Sequence, residues 1–292
     1  MIDLHTHSKY SSDGIDEVSF MLQTAEKLKL KYLSITDHNS CGAYDDLNKK
    51  EIREIFSGKI ITGVELNTKV LGIPIEILGY NINPKKMQQL IDKTYMSNIE
   101  RNKLEVKRLY EKAIEAGIIL SDDFVQKYDG KIYGSKYFHQ FIAKDENNKQ
   151  FINENSFNDS NIFYREYMSN PSTKFFVDMD DVLPSFEKAS EIVREAGGMV
   201  FLPHIYEYRE NSEKILEYIL KHYKIDGIEC YYRNFTKDQT TYLLDLCNKN
   251  NFYVSGGSDY HGSVKPKVKM GLGEGSLCVP DDIVEKWKKI II

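Results

Sequence analysis

Apolar positions in this chain come in short runs of β-branched and aromatic residues, and each run stops at a polar cluster. Ile2-Asp3-Leu4 leads into His5-Thr6-His7, and Tyr32-Leu33-Ser34-Ile35 leads into Thr36-Asp37-His38. Ile60-Ile61-Thr62-Gly63-Val64 leads to Glu65, and Ile75-Glu76-Ile77-Leu78 runs to Gly79-Tyr80. Met199-Val200-Phe201-Leu202 precedes Pro203-His204, and Gly227-Ile228-Glu229-Cys230-Tyr231-Tyr232 precedes Arg233. Last comes Phe252-Tyr253-Val254-Ser255, before Gly256-Gly257-Ser258-Asp259-Tyr260-His261. Runs of this length and composition predict buried strands.

Between several of the runs the apolar period becomes helical. Residues 16–29 carry Val18, Leu22, Ala25 and Leu28 at helical spacing, and residues 237–250 carry Tyr242, Leu243, Leu246 and Cys247. Residues 186–195 carry Ala189, Ile192 and Val193 and stop at Gly197-Gly198, a helix-terminating pair. Strand alternating with helix predicts an α/β fold with parallel pairing and right-handed crossovers. Seven strands, each handing a polar residue to its C-terminal end, predict a barrel rather than an open sheet, with its chemistry on that rim.

Residues 84–181 break the rhythm. A long helix is predicted over 86–116, with Leu104, Val106, Leu109 and Ile114 among its apolar positions, and polar stretches follow at 144–149 and 153–161. Roughly a hundred residues is far more than a βα connection needs. The segment 84–181 therefore reads as a helical insertion (cap) domain over one end of a barrel built from 1–83 and 182–292.

Composition narrows the function classes. A hydrophobic fraction of 41% and interspersed charges at 28% exclude disorder as a description of the chain, and 292 residues suit one barrel with an insertion. The net charge of −5 argues against duplex nucleic acid as a partner, because that binding needs a basic face. It leaves room for a small phosphorylated substrate held through cations. No run reaches the roughly 18 apolar residues that span a bilayer, and the N-terminus lacks the layout of a secretory signal. Cys41, Cys230, Cys247 and Cys278 stand far apart with no Cys-x-x-Cys pair, so each reads as a small, partly buried hydrophobe. A reducing cytoplasm is the compartment expected.

The placement of the seven histidines carries the chemistry. His5 and His7 sit two apart in a strand and point to the same face, where they can bind one metal ion or bridge two. Asp13 precedes Gly14, a bend that can return its carboxylate to the pair. The pattern then recurs at strand ends: Asp37-His38, Glu65, His204, and Asp259 with His261. Nitrogen and carboxylate donors without thiolate suit Zn²⁺, Mn²⁺ or Fe²⁺ in a hydrolytic centre, with Glu65 able to bridge two ions.

At these residues a resemblance stands out. His5-Thr6-His7-Ser8 with Ser12-Asp13-Gly14 resembles the opening motif of the PHP (polymerase and histidinol phosphatase) family. Ile35-Thr36-Asp37-His38-Asn39 is similar to its second motif, Gly63-Val64-Glu65 to its third and residues 256–262 to its last. Ala196-Gly197-Gly198 before Leu202-Pro203-His204 also matches, although many relatives have Ala where Pro203 stands. The resemblance implies a distorted seven-stranded (β/α) barrel, two or three divalent ions at its rim, and hydrolysis of phosphoesters. The subgroup it resembles acts on nucleoside bisphosphates, short RNA 5′ ends or histidinol phosphate. Relatives place a histidine ligand where this chain has Glu76. That carboxylate either ligates, favouring a harder ion such as Mn²⁺ or Mg²⁺, or merely lines the site.

The ligand set expected is then His5, His7, Asp13, His38, Glu65, Glu76, His204, Asp259 and His261. Asp13, Asp37 and Asp259 are the carboxylates expected at the reaction, with Asp37 alternatively orienting a ligand imidazole. Arg233, at a strand end, is a candidate phosphate contact. Lys136 and His139 fall in Gly134-Ser135-Lys136-Tyr137-Phe138-His139, near where relatives carry a Gly-Arg-Pro-His-like phosphate contact, and are candidates too. Tyr231 and Tyr232 either stack on a base or pack in the core, and His222 reads as surface. Two other functions share these residues: an amidohydrolase-like enzyme, since the same hydroxide can attack a carbonyl, and a non-catalytic PHP interaction module.

Overall fold

A computed structural model describes residues 1–287 apart from 119, 122, 169 and 171. The chain divides into two compact units, one of Met1–Tyr95 with the chain from Leu183 on, the other of Met96–Val182.

In the first unit the apolar runs become strands: β1 (Tyr32–Leu33), β2 (Lys59–Ile60), β3 (Gly63–Val70), β4 (Ile73–Tyr80), β5 (Met199–Leu202), β6 (Gly227–Tyr232) and β7 (Tyr253–Gly257). Among the described residues β3-β4-β5-β6-β7 form one mixed sheet and β1-β2 a separate parallel pair. This α/β arrangement departs from the expected all-parallel pairing at β3 and β4. They run antiparallel, joined only by Leu71 and Gly72, whose φ values are 54° and 76°. Two left-handed residues make a tight hairpin, and so short a link cannot carry a parallel crossover. β4 also pairs antiparallel with β5, whereas β5–β6 and β6–β7 are parallel.

The first apolar run is not a regular strand. It makes isolated bridges instead, Asp3 to Leu33 and Thr6 to Tyr260. The reason is chemical: the Asp3 carboxylate takes the amide of His5 (3.3 Å) and that of Ser258 (2.9 Å), donors that a ladder would have used. The segment is still bonded on both sides, by Leu4 N to Gly256 O (3.1 Å) and Ser34 N to Asp3 O (3.0 Å).

Strand alternation divides the core in two. Val64, Leu66, Ile75, Ile77, Val200, Leu202, Ile228 and Cys230 pack in the larger apolar cluster, together with helix residues. Leu78, Tyr80, Met199 and Phe201 join Ile2, Leu4 and Trp287 in a smaller one. With both faces covered, the runs read as nearly continuous hydrophobe. Glu65, Glu76 and Glu229 alternate with the first set, so they share the side of the smaller cluster.

Helices α1 (Val18–Lys27), α2 (Ala43–Leu47), α3 (Lys50–Arg53) and α4 (Pro84–Thr94) precede the second unit in sequence. That unit holds α5 (Asn98–Glu115), α6 (Gly134–Ile142), α7 (Glu154–Asn158) and α8 (Ser160–Phe163), around Val106, Leu109, Phe124, Phe138, Phe163 and Phe175. The first unit resumes with α9 (Phe186–Glu195), α10 (Ser212–His222) and α11 (Lys237–Asn250). The single long helix expected over 86–116 is two, because α4 stops at Tyr95 and Ser97 starts α5 with a reciprocal capping box to Glu100. Such a cap contributes about 1 kcal/mol, and Ser97-x-x-Glu100 is a start signal that the apolar period alone overrides. Cys41, Cys230 and Cys247 are buried as expected, but Cys278 is exposed. Among the described residues no helix is long and apolar enough to cross a membrane.

Candidate metal centre

The polar ends of the runs converge on Glu65 of β3. Its Oε2 lies 3.1 Å from His5 Nε2, 3.2 Å from His7 Nε2 and 3.5 Å from His38 Nδ1. Its Oε1 lies 3.0 Å from His204 Nε2. Asp259 Oδ1 stands 3.3 Å from His7 Nε2 and 3.4 Å from His261 Nδ1. Asp13 Oδ2 meets His261 Nε2 at 2.9 Å and His38 Nε2 at 3.5 Å. Glu76 on β4 adds Oε1 at 3.7 Å from His38 Nδ1 and Oε2 at 3.3 Å from His204 Nε2.

These atoms form three overlapping donor sets: His7, Asp13, His38 and His261; His5, His7, Glu65 and Asp259; and His38, Glu65 and Glu76. Bonds of about 2.0–2.2 Å to a divalent ion put neighbouring ligand atoms about 3.0–3.4 Å apart, close to the spacings here. His7 Nε2 and His38 Nδ1 are buried with no hydrogen-bond partner, although carboxylate oxygens lie beside both. Two orphaned imidazole nitrogens facing carboxylates are what a cation between them would satisfy. The residues present therefore fit two or three divalent ions, and their N/O character without sulfur suits Mn²⁺, Zn²⁺, Fe²⁺ or Mg²⁺.

Electrostatics in the metal-free protein lead to the same conclusion. Burial by itself would discharge these groups, but their mutual attraction overrides it. For His38, burial pulls down, while Glu65, Asp13 and Glu76 raise it to about 10. His204 rises to about 9 against burial, mainly through Glu65. Burial pushes Glu65 up, yet His5 and His38 hold it well below the usual carboxylate range. Asp259 is held down in the same way by His7, His5 and His261. Two groups move the other way: His7 is lowered by burial and by His38 and His261, and Glu76 is raised by burial and by the Glu65 carboxylate. Protons on imidazole here occupy the place of a metal's charge.

A surrounding layer fixes the ligands. Glu229 on β6, fully buried, holds His5 Nδ1 at 3.0 Å and accepts from the His204 amide at 2.9 Å. With Nδ1–H donated to Glu229, His5 presents Nε2 to the centre. His261 does the same by placing Nδ1 2.9 Å from its neighbour's carbonyl, Asp259 O. His204 and Asp259 have φ of 23° and 55°, sparsely populated backbone for such residues, which turns their side chains inward at the strand ends. Gly257 lets β7 press on the first segment: a Cβ there would lie 2.4 Å from the nitrogen and Cβ of His5.

Of the residues singled out in the sequence, the nine expected ligands are brought into one cluster. Asp37 is not among the three donor sets: its oxygens accept from the Ser8 amide (2.6 Å) and hydroxyl (2.7 Å), shaping the turn after His7. Arg233 reaches Asp259 Oδ2 at 3.2 Å. His139 is a packing residue of the second unit, with Nε2 2.9 Å from Ser156 O and its ring beside Phe163. Lys136 is exposed on α6. His222 is exposed, and Tyr232 is buried with its hydroxyl on Asp259 Oδ2 at 2.9 Å. Sequence reasoning passed over Glu229, Asp3 and Lys265 as parts of the site, and it weighed Tyr232 for base stacking rather than for its bond to Asp259. Glu229 carried a signal, being an acidic residue within an otherwise apolar strand, since such a charge needs a buried partner.

The PHP domain family model matches residues 3–230. The chain is 26% identical to the 5'-3' exoribonuclease of Haemophilus influenzae, over 98% of each chain. It is 22% identical to the 5'-3' exoribonuclease Rnm of Escherichia coli, over 98% of this chain and 92% of that one. A solved structure described as a putative metal-dependent phosphoesterase from Bifidobacterium adolescentis has a TM-score of 0.69 at 20% identity, covering 99% of this chain and 96% of its own.

Proposed function

This chain belongs to the PHP domain family, and from that premise we propose that it is a metal-dependent phosphoester hydrolase acting at the 5′ end of short single-stranded RNA or of small nucleotides. The observation that carries this is the set of three overlapping donor clusters sharing His7, His38 and the buried Glu65. The relatives named 5'-3' exoribonucleases support the substrate class. The net charge of −5 fits a short strand better than a duplex.

His5, His7, Glu65 and Asp259 would hold one ion, and His7, Asp13, His38 and His261 a second. Glu65 and Glu76 with His38 and His204 would hold a third, where the second carboxylate favours a harder ion such as Mn²⁺ or Mg²⁺. Bound divalent ions supply a hydroxide nucleophile near neutral pH and offset charge on phosphoryl oxygens. Asp13, whose side chain is 39% exposed, is the carboxylate of the cluster most open to an entering substrate, and it can relay a proton there. Asp259 keeps the buried side of the centre anionic. Asp37 positions Ser8 rather than exchanging protons with substrate. The bridges Asp3–Leu33, His38–Glu65 and Thr6–Tyr260 support reading the two sheets and the first segment as a closed seven-stranded barrel, with β2 and β3 counted as one interrupted strand.

The test is an assay of the metal-loaded protein on 5′-phosphorylated RNA, nucleoside bisphosphates, histidinol phosphate and an amide panel, beside Asp13→Ala and His204→Ala. Phosphate or nucleotide release that both substitutions abolish supports the reading. Turnover of amides alone, or turnover that neither substitution changes, overturns it.

A further inference from the structure

Ser11 stands within the metal centre and belongs to none of its donor sets. The Ser8 carbonyl accepts from the Ser11 amide at 3.0 Å, and the Asp37 carboxylate pins Ser8, so the turn after His7 carries the Ser11 hydroxyl back to the imidazoles. Only 6% of Ser11 is exposed. Its Oγ lies 2.7 Å from Asp13 Oδ1, 3.2 Å from the His38 amide nitrogen and 3.3 Å from His7 Nδ1. One hydroxyl therefore touches three of the four residues in the donor set of His7, Asp13, His38 and His261.

Proton counting forces the roles in these three contacts. A serine hydroxyl has one hydrogen and two lone pairs. An ionised carboxylate can only accept, so the hydrogen points to Asp13 in a charge-assisted bond. A backbone amide can only donate, so the His38 N–H takes one lone pair. The second lone pair is what remains for His7, and Nδ1 must bring the hydrogen to it. Nε2 is then bare. It is the nitrogen that is buried without a hydrogen-bond partner, 3.2 Å from Glu65 Oε2 and 3.3 Å from Asp259 Oδ1. A ring with its hydrogen on Nδ1 presents the Nε2 lone pair to a cation, and His7 belongs to two of the three donor sets.

We propose that Ser11 is a positioning residue for the ion held by His7, Asp13, His38 and His261: its one hydroxyl fixes the His7 ring hydrogen on Nδ1, one oxygen of Asp13 and the backbone of His38. This role rests on the metal-dependent reading of the cluster. With Asp13 Oδ1 tied to Ser11, Oδ2 is left to face His261 at 2.9 Å and His38 at 3.5 Å. Alanine at this position withdraws the hydroxyl from all three residues at once. The His7 ring is then free to carry its hydrogen on Nε2, where it blocks the atom that faces the ions.

The experiment sets Ser11→Ala and Ser11→Thr beside wild type. Competition against a chelator with Zn²⁺ or Mn²⁺ reads metal affinity, and long-range nitrogen–proton NMR spectra of the metal-free proteins read which ring nitrogen of His7 carries hydrogen. Ser11→Ala is expected to weaken the tightness of one ion about 10- to 100-fold, the usual loss when an outer hydrogen-bond partner of a ligand is removed, and to spread the His7 hydrogen over both nitrogens. Ser11→Thr keeps the hydroxyl and should restore both readouts, which a role in packing alone does not predict. A folded Ser11→Ala protein with affinity within about threefold of wild type, or a folded Ser11→Thr protein as weak as Ser11→Ala, overturns the proposal. If Ser11→Ala does not fold, the wild-type spectrum decides: hydrogen on His7 Nδ1 supports the role and hydrogen on Nε2 overturns it. Wild-type protein that binds metal yet cleaves no phosphoester overturns the function reading instead, and the affinity and ring spectra still decide the role of Ser11.

Discussion

Replacing Glu229 by Gln changes one charge and almost no volume, and it should loosen metal binding through His5. The carboxylate holds His5 Nδ1 at 3.0 Å and the His204 amide at 2.9 Å. Hydrogen bonds to a charged group contribute about 1.5–3 kcal/mol, against about 0.5–1.5 for neutral ones, so the amide forfeits about 1 kcal/mol at each contact. The consequence for the proton is larger. A backbone amide can only donate, so the Gln carbonyl oxygen must stay with His204 and its NH₂ must turn to His5. His5 Nδ1 then becomes an acceptor and its proton moves to Nε2, the nitrogen 3.1 Å from Glu65 that faces the metal sites. Loss of such an outer partner typically costs 10- to 100-fold in metal affinity, equivalent to about 1.4–2.7 kcal/mol. Competition against a chromophoric chelator with Mn²⁺ or Zn²⁺ measures this directly, with the melting temperature of the metal-free variant as control. A folded variant whose affinity stays within about threefold of wild type would refute the orienting role of Glu229.

Four further outcomes follow from the same geometry. Gly257→Ala forces a Cβ to within 2.4 Å of His5, so overpacking should cost about 1–3 kcal/mol and lower metal content, and an unchanged melting temperature would contradict the close approach. In metal-free protein His38 and His204 titrate at about 10 and about 9, above the ordinary 6.5. Their stabilising contribution is complete below pH 6.5 and is lost as pH rises through 9 to 10, so chelated protein should melt earlier at pH 9.5 than at pH 7. Metal loading must displace those protons, and calorimetry in buffers of different ionisation enthalpy should show proton release. Glu76→His replaces a carboxylate by an imidazole in the third donor set and should shift the metal retained from Mn²⁺ towards Zn²⁺, with unchanged metal ratios counting against ligation by Glu76.

How much was legible in the chain depended on whether the signal was local. His5, His7, His38, His204 and His261 stand where apolar runs end, and the His5-x-His7 spacing puts both rings on one side by backbone geometry alone. Ser97-x-x-Glu100 was equally local, yet the helical period running across it concealed the break between α4 and α5. His139 stood near the place where members of the family carry a phosphate-contacting segment, but its neighbours Phe138 and Ile142 made it part of an apolar helix face, which is where it packs. Asp37 beside His38 carried no mark of direction, and only its contacts with Ser8 show that it shapes a turn.

By itself the sequence determined which side chains could carry the chemistry and that apolar runs would bury them at strand ends, because alternation and helical period are properties of a few consecutive residues. Only the tertiary structure decided how the strands pair, with Leu71-Gly72 turning β3 and β4 antiparallel and the Asp3 carboxylate interrupting the first strand. It also decided that Glu65 sits among four imidazoles, that Glu229 steers His5 across 224 positions of sequence, and that Arg233 and Lys265 share Asp259. Charge–charge and hydrogen-bond energies depend on distances of a few ångströms between residues remote in the chain, and those distances exist only once the fold has brought the strand ends together.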